Sequence, residues 1–307
     1  MPAYNAQDYI AEAFESVLTQ TFTNYELIVV NDGSTDRTAE VVQSFKDPRI
    51  RLVNQVNGGV SAALNTGLDV ARGRYIIRFD ADDVCYKNRF EVQYNFITRH
   101  PEYILVGSDA DYMTENGEMI HHYVNIGHSH EEILKTIEKH CSFIHSSVIY
   151  LREAVLKLGG YEVRAHTFED YFLWKKLIKT GKVCNLKMSL MKVRFNPASV
   201  TIDEKDQDPE FRALKRKALQ TGEISETEAT RLLSCIKKLE PQKKLASYNR
   251  LLAKKFLWDN YQPSKSRKHS WAAAKAEPLK GSAWVLLAMS FLPEAFIKWL
   301  YLKMKGK

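Results

Sequence analysis

The chain has 307 residues, 45% of them hydrophobic and 26% charged, with few glycines and prolines, the composition of a folded protein that can bury one large core or one domain plus an appendage. Its four cysteines (Cys85, Cys141, Cys184, Cys235) stand far apart without a C-x-x-C pair, which argues against a zinc site or a disulfide framework and suits a reducing compartment. No apolar run reaches the ~18 residues of a spanning helix, and the first residues lack the basic-then-apolar pattern of a secretory signal.

The net charge of +7 is unevenly placed: residues 201–307 hold 22 Lys/Arg against 12 Asp/Glu, and residues 1–200 hold 22 against 25. The positive excess predicts two parts with different tasks, divided near residues 203 and 204.

Pro2 to Asn5 reads as a loop, with Asn5 or Asp8 placed to cap a helix bearing Ile10, Phe14, Val17 and Leu18. The run Glu26 to Val30 predicts a strand ending in Asn31-Asp-Gly-Ser-Thr-Asp36, where Ser34, Thr35 or Asp36 can cap the next helix. Arg49 to Val53 predicts a second strand, Asn54 to Gly59 a loop, Ser61 to Val70 a small-residue helix, and Tyr75 to Phe79 a third strand running into Asp80-Ala-Asp-Asp83. Helices between strands imply parallel neighbours and an α/β sheet with helices on both faces, whose ligands sit beyond the carboxyl ends of the strands. Asp32, Asn57 to Gly59 and Asp80 to Asp83 all fall at that edge. Further on, Tyr103 to Gly107 predicts a strand, and Glu131 to Lys139 and Phe168 to Lys179 predict helices, the latter opening with Glu169-Asp170. From about residue 205 the chain is Lys-rich and helical, without strand signals.

An Asp-x-Asp pair can hold a divalent cation against substrate phosphates. The chain has three: Asp80/Asp82, Asp109/Asp111 and Asp206/Asp208. Only the first ends an apolar strand at the ligand edge, with Asp83 adding a third carboxylate, so the metal expectation rests on Asp80 and Asp82. The other two pairs read as turn and cap residues. His121/His122 and His128/His130 read as solvated surface, His145 as a packed residue, and Trp174 as core.

The segments PAYNAQDYIAEAFESVLTQTF, ELIVVNDGSTDRT, NGGVSAALNTGLDVARGRYIIRFDADD, HSSVIYLREAVLKLGGYE and FEDYFLWKKL cover nearly all of residues 2–200. In that order they resemble glycosyltransferase family 2, the inverting nucleotide-sugar transferases with a GT-A (Rossmann-like) fold. The resemblance implies a strand ahead of P-A-Y-N, so that Met1 reads as an internal residue of a longer chain. It implies a nucleotide-diphosphate sugar donor, UDP-linked above others, approached by Ala3, Tyr4, Asn5, Asp32, Asn57, Gly58, Asn65, Asp80 and Arg194. It implies Mn²⁺ or Mg²⁺ on Asp82 and Asp80, and Asp170 as general base beside Glu169. Val193 to Ser199 departs from the family pattern by carrying Asn196 where many members have a histidine.

The last segment, GSAWVLLAMSFLPEAFIKWLYLKMKGK, is aromatic and basic, with Pro293 and Glu294 interrupting it. It predicts an amphipathic element on the inner leaflet, and with it a peripheral protein at the cytoplasmic face of the plasma membrane. No motif of a nucleic-acid reader is present. The expected activity is transfer of a sugar to a lipid-linked or polysaccharide acceptor in bacterial surface-glycan assembly. A nucleotidyltransferase, or a non-catalytic sugar-nucleotide-binding scaffold, is the alternative; the first would need a Gly-rich basic phosphate loop, which P-A-Y-N does not supply.

Overall fold

The computed structural model describes residues 1–196, 207–237 and 240–304. It divides into two compact units: residues 1–111, 122–194 and 215–229 in the first, and residues 112–121, 195–214 and 230–307 in the second. The division is therefore not the contiguous one at 203/204 that charge alone predicts. A hairpin tip belongs with the C-terminal helices, and part of the basic segment belongs with the sheet unit.

The first unit begins with β1 (Pro2–Ala3), α1 (Ile10–Leu18), β2 (Leu27–Asp32), α2 (Thr38–Ser44), β3 (Ile50–Gln55) and α3 (Val60–Val70). Strands β1, β2 and β3 pair in parallel, in that order, as connecting helices require. Ile10, Ala13, Phe14 and Val17 recur at helical spacing and are buried against Val29, Phe79, Phe90 and Met191. Neither Asn5 nor Asp8 caps α1; Tyr9 holds that position without a side-chain bond. Asp36 does serve α2, its carboxylate accepting from the Thr38 N–H at 2.9 Å.

After β4 (Tyr75–Ile77), β5 (Val84–Cys85), α4 (Arg89–Arg99), β6 (Tyr103–Met113), β7 (Met119–Tyr123), α5 (His130–Thr136), β8 (Ile149–Leu151), α6 (Arg152–Lys157), α7 (Glu169–Leu177) and β9 (Lys182–Arg194), the pairing changes character. These strands form a separate sheet in the order β4-β8-β6-β9-β5, with β7 on β6, and β4 pairs antiparallel with β8 rather than parallel with β3. The parallel expectation fails at β4 because its partner comes from more than seventy residues downstream, beyond the reach of local periodicity. Its core gathers around Trp174, which is fully buried among Phe143, Tyr150 and Tyr161.

A cavity of about 810 Å³ is lined by residues of both sheets, Met1, Leu27, Val30, Tyr75 and Ile77 among others. The Met1 amino group donates to the Ile28 carbonyl at 2.8 Å, and burial pulls it down to about 5.

In the second unit α10 (Pro241–Trp258) and α11 (Pro263–Ala276) start on prolines, where the missing N–H is no loss. Ser266, Ser270, Ala273 and Ala274 give α11 a buried face of small side chains. Ile120, Leu252 and Phe256 form a core with Tyr112, Phe195 and Tyr248. Helices α12 (Gly281–Met289) and α13 (Glu294–Met304) follow, while α8 (Pro209–Thr221) and α9 (Glu226–Lys237) each contribute to both units.

Replacing Trp174 with Ala leaves a void that its aromatic neighbours cannot close. The expected loss of unfolding free energy is about 3–5 kcal/mol, measured by urea denaturation.

Candidate active site

Two loops at the carboxyl edge of the parallel strands are zipped together. The Asn5 N–H donates to Ser34 Oγ at 3.0 Å, Asn5 Oδ1 accepts from the Thr35 N–H at 2.9 Å, and the Ala6 N–H donates to Thr38 Oγ1 at 2.8 Å. Asn5 adopts a positive φ of 49°, which asparagine tolerates better than most residues. Ala3 is buried, whereas Tyr4 stands 54% exposed beside this zipper.

The β2–β3 register sets Asp32 opposite Gln55, whose side chain donates to Asp32 Oδ1 at 2.7 Å. The Gly58 and Gly59 N–H groups donate to the two carboxylate oxygens, each at 2.8 Å. A buried carboxylate thus organises the Asn57 to Gly59 loop. Gly33 next to it is in the left-handed region, and an added Cβ would fall 2.7 Å from the Asn57 nitrogen, so only glycine fits.

The strand ending at β4 delivers the acidic loop. Asp80 and Asp82 are partly exposed, but Asp83 is buried, accepting from the Arg194 N–H at 2.8 Å. Desolvation, then Asp82 and Asp80, push the Asp83 carboxyl well above its usual range. Arg194 braces this loop from inside: Nε donates to the Asp82 carbonyl at 2.8 Å, and the guanidinium pairs with Glu12 and lies over the Tyr9 ring. Pro197 to Ser199, the rest of that predicted motif, lie outside the described residues.

Glu169 and Asp170 open α7. Glu169 is buried, its Oε2 without a partner among the described residues; its other oxygen sits 3.9 Å from His145 Nδ1. Desolvation and then Asp170 push Glu169 up to about 8. Asp170 is also raised by desolvation, but Tyr171 N–H bonding to Oδ1 at 2.6 Å, Arg78 and Lys215 work in the opposite direction. Burial drives the His145 pKa well down, and its Nε2 lies 3.3 Å from the Tyr161 hydroxyl.

The cation common to both acid groups is Arg78, which sequence reading missed. It is 3% exposed, ion-paired with Asp80, and has its Nε buried without a hydrogen-bond partner among the described residues. Burial opposes its charge, yet Asp80 and Asp83 outweigh that and raise its pKa. Arg78 lowers Glu169, Asp170 and His145 alike, while Asp80 raises Glu169, so the two acidic segments act on each other electrostatically. The available signal was a charged residue inside the otherwise apolar strand Tyr75-Ile-Ile-Arg-Phe79.

Several other expectations need correction. Asn65, placed near the nucleotide by resemblance, uses both ends of its amide on the Tyr161 backbone, each bond at 2.8 Å, and so fixes the Gly159-Gly160-Tyr161 turn. His121 is buried and stacks on Tyr112 at 5.0 Å, and His128 bonds the buried Asp109 carboxylate at 3.0 Å, so neither is solvated surface. Asp109 and Asp111 lie inside strand β6, not in a turn or cap as expected; Asp109 also accepts from Asn125, and Asp111 from Tyr86 and Ser189. Asp208 accepts from the Glu210 N–H at 2.8 Å as a helix cap; Asp206 lies outside the described residues. Trp174 is core, as expected.

Glu169 prefers its neutral form in the folded state, so the stability it contributes is full below about 4.5 and is lost as pH rises toward about 8. Glu169→Gln is expected to melt above the parent at pH 8, with the difference shrinking toward pH 4.5. Arg78→Gln removes a charge that holds Asp170 down, so the acidic limb of any pH–rate profile governed by Asp170 moves to higher pH.

The family model for glycosyl transferase family 2 matches residues 1–159. An uncharacterised glycosyltransferase of Haemophilus influenzae is 37% identical over 176 residues, 56% of this chain and 65% of that protein. GlyA of Streptococcus pneumoniae is 37% identical over 215 residues, 66% of this chain and 31% of that protein. The chain spans between 31% and 65% of the length of the first curated relatives it matches. The Escherichia coli UDP-Glc:alpha-D-GlcNAc-diphosphoundecaprenol beta-1,3-glucosyltransferase WfgD is 28% identical over 238 residues, 76% of this chain and 87% of that protein. Among solved structures, S. aureus TarS in complex with UDP superposes with a TM-score of 0.56 at 17% identity, covering 100% of this chain and 90% of that one. The mannosyltransferase PcManGT of Pyrobaculum calidifontis, in complex with GDP-Man and Mn²⁺, gives 0.53 at 16% identity, covering 99% and 83%. The fold is GT-A, and with a family match over more than half its length the chain belongs to glycosyl transferase family 2.

Proposed function

We propose that this chain moves a sugar from a nucleoside diphosphate donor to a hydroxyl of a lipid-linked or polysaccharide acceptor, with inversion at the anomeric carbon. The observation that carries this reading is the electrostatic linkage of Asp80, Glu169 and Asp170 through the buried Arg78. A UDP-linked donor is favoured by WfgD, named for UDP-Glc and a diphosphoundecaprenol-linked acceptor, and by TarS, solved with UDP and with UDP-GlcNAc. Such a reaction belongs at the cytoplasmic face of the plasma membrane, in assembly of a surface glycan.

Two neighbouring carboxyl groups with different proton affinities supply the acid–base assignment. Glu169 keeps its proton near neutral pH and can donate a hydrogen bond to the acceptor. Asp170 is partly exposed and raised by desolvation, with the Tyr171 N–H, Arg78 and Lys215 working against that rise, and it takes the acceptor hydroxyl proton. The acceptor oxygen then forms a bond to the anomeric carbon as the bond to the diphosphate breaks, and the nucleoside diphosphate leaves with the electron pair. Arg78 lies where it offsets the negative charge that develops.

Asp80 and Asp82 offer hard oxygen donors suited to Mn²⁺ or Mg²⁺. Among the described residues, the one trio of ligand atoms within 4.8 Å is Asp208, Glu210 and Cys235, so Asp80, Asp82 and Asp83 do not make a closed protein site. They fit a cation shared with substrate phosphates, which is how Mg²⁺ is commonly held. When bound, such a cation neutralises diphosphate charge. Tyr4, Asn5, Asp32, Asn57 and Gly58 line the approach for the base and ribose. Asp32 Oδ2 accepts one N–H from Gly59 among the described residues, leaving capacity for another donor.

Nucleoside diphosphate release from a panel of nucleotide sugars, with an undecaprenyl-linked acceptor and with or without Mn²⁺, tests the reading. Asp170→Asn is expected to lower kcat by about 10²- to 10⁴-fold with little change in donor KM. Full activity in that variant removes Asp170 as base, and no release from any donor removes the transfer reading.

A further inference from the structure

Helix α12 contains no charged side chain, and of its nine residues only Ala283 is fully buried. Trp284 and Val285 stand 42% and 57% exposed, and Phe291 beyond the helix is 70% exposed. On α13, Phe296 and Trp299 are exposed at helical spacing while Ile297 is buried, so this helix shows apolar groups on both its packed and its open face. Trp271 on α11 meets the Trp284 ring edge-on at 5.8 Å. Open apolar surface of this kind is unfavourable in water and calls for a cover.

Cations stand among these rings. Arg267 lies 4.8 Å from the Phe291 ring centre, Lys303 5.1 Å from that of Trp299, and Lys275 5.6 Å from that of Trp271. Residues 263–304 carry seven Lys/Arg against two Glu. A second copy laid face to face would bring two sets of like charge together. An anionic lipid surface neutralises them while its acyl boundary takes the aromatic rings. The Trp284 N–H is already bonded to the Pro278 carbonyl at 2.9 Å, so its ring can enter that boundary without stranding a polar group.

No described helix is long and apolar enough to cross a membrane, and α12 and α13, at 9 and 11 residues, reach only ~14 and ~17 Å against a ~30 Å hydrocarbon core. We propose that the aromatic, basic face of α11, α12 and α13 docks in the interface of an anionic lipid bilayer, with Trp271, Trp284, Phe291 and Trp299 as its apolar contacts.

The test is co-sedimentation of the full chain with phosphatidylcholine vesicles containing phosphatidylglycerol, against phosphatidylcholine alone. The chain is expected to bind the anionic vesicles selectively and to release as salt rises. The triple variant Trp284→Ser, Phe291→Ser, Trp299→Ser should lose at least about tenfold in affinity, while Asp170→Asn binds like the parent. Should the triple variant fold poorly, Lys275→Glu with Lys303→Glu is expected to weaken anionic binding at unchanged melting temperature. Absence of anionic binding, or binding untouched by both sets of substitutions, overturns the proposal. So does a dimer in sedimentation equilibrium that the triple variant abolishes without any vesicle binding.

Discussion

A buried guanidinium surrounded by carboxyl groups constrains this structure more than any other feature. Asp80, Asp82, Asp83, Glu169 and Asp170 arrive from two segments almost ninety residues apart, and desolvation raises three of them. Without a cation in their midst, so many acids could share a low-dielectric region only by protonating. Arg78 keeps charge available there, and because it sits between Ile77 and Phe79 its own position is fixed by a strand and its flanking core. A second buried arginine, Arg89, supports the arrangement from below: it donates to the Arg78 carbonyl at 2.9 Å, and desolvation lowers it to about 10.

The loops at the carboxyl edge of the parallel strands are ordered by hydrogen bonds that cross between elements. Asp32 ties β2 to Gln55 and to the amides of Gly58 and Gly59, and Asn5 ties the loop after β1 to Ser34 and Thr35. Each bond alone contributes on the order of 1 kcal/mol, but together they set the backbone before any ligand arrives. Asn65 performs the same service for the turn that carries Tyr161 toward His145.

The second unit is built on another plan. Its helices bury small and aliphatic residues on one side, as Ser266, Ser270, Ala273 and Leu252 show, and leave aromatic rings with neighbouring cations on the other. The excess of Lys/Arg belongs to residues 201–307, of which 215–229 fall in the first unit.

By itself the sequence determined the helix–strand alternation up to α3, the placement of Asp32, Gly58 and Asp80 to Asp83 at the carboxyl ends of strands, the helix opening at Glu169, and the aromatic basic tail. These are local properties, set by the 3.6- and 2-residue periods, by turn residues and by acids at strand ends. Tertiary structure alone decided that β4 turns away from β3 to pair antiparallel with β8, that Arg78 is buried between the two acidic segments, that Asn65 grips a backbone 96 residues away, and that residues 112–121 join the C-terminal helices. The reason is physical. Strand partners and burial arise from contacts between distant segments, and a side chain's proton affinity or hydrogen-bond commitment depends on what those contacts place around it, which no local pattern encodes.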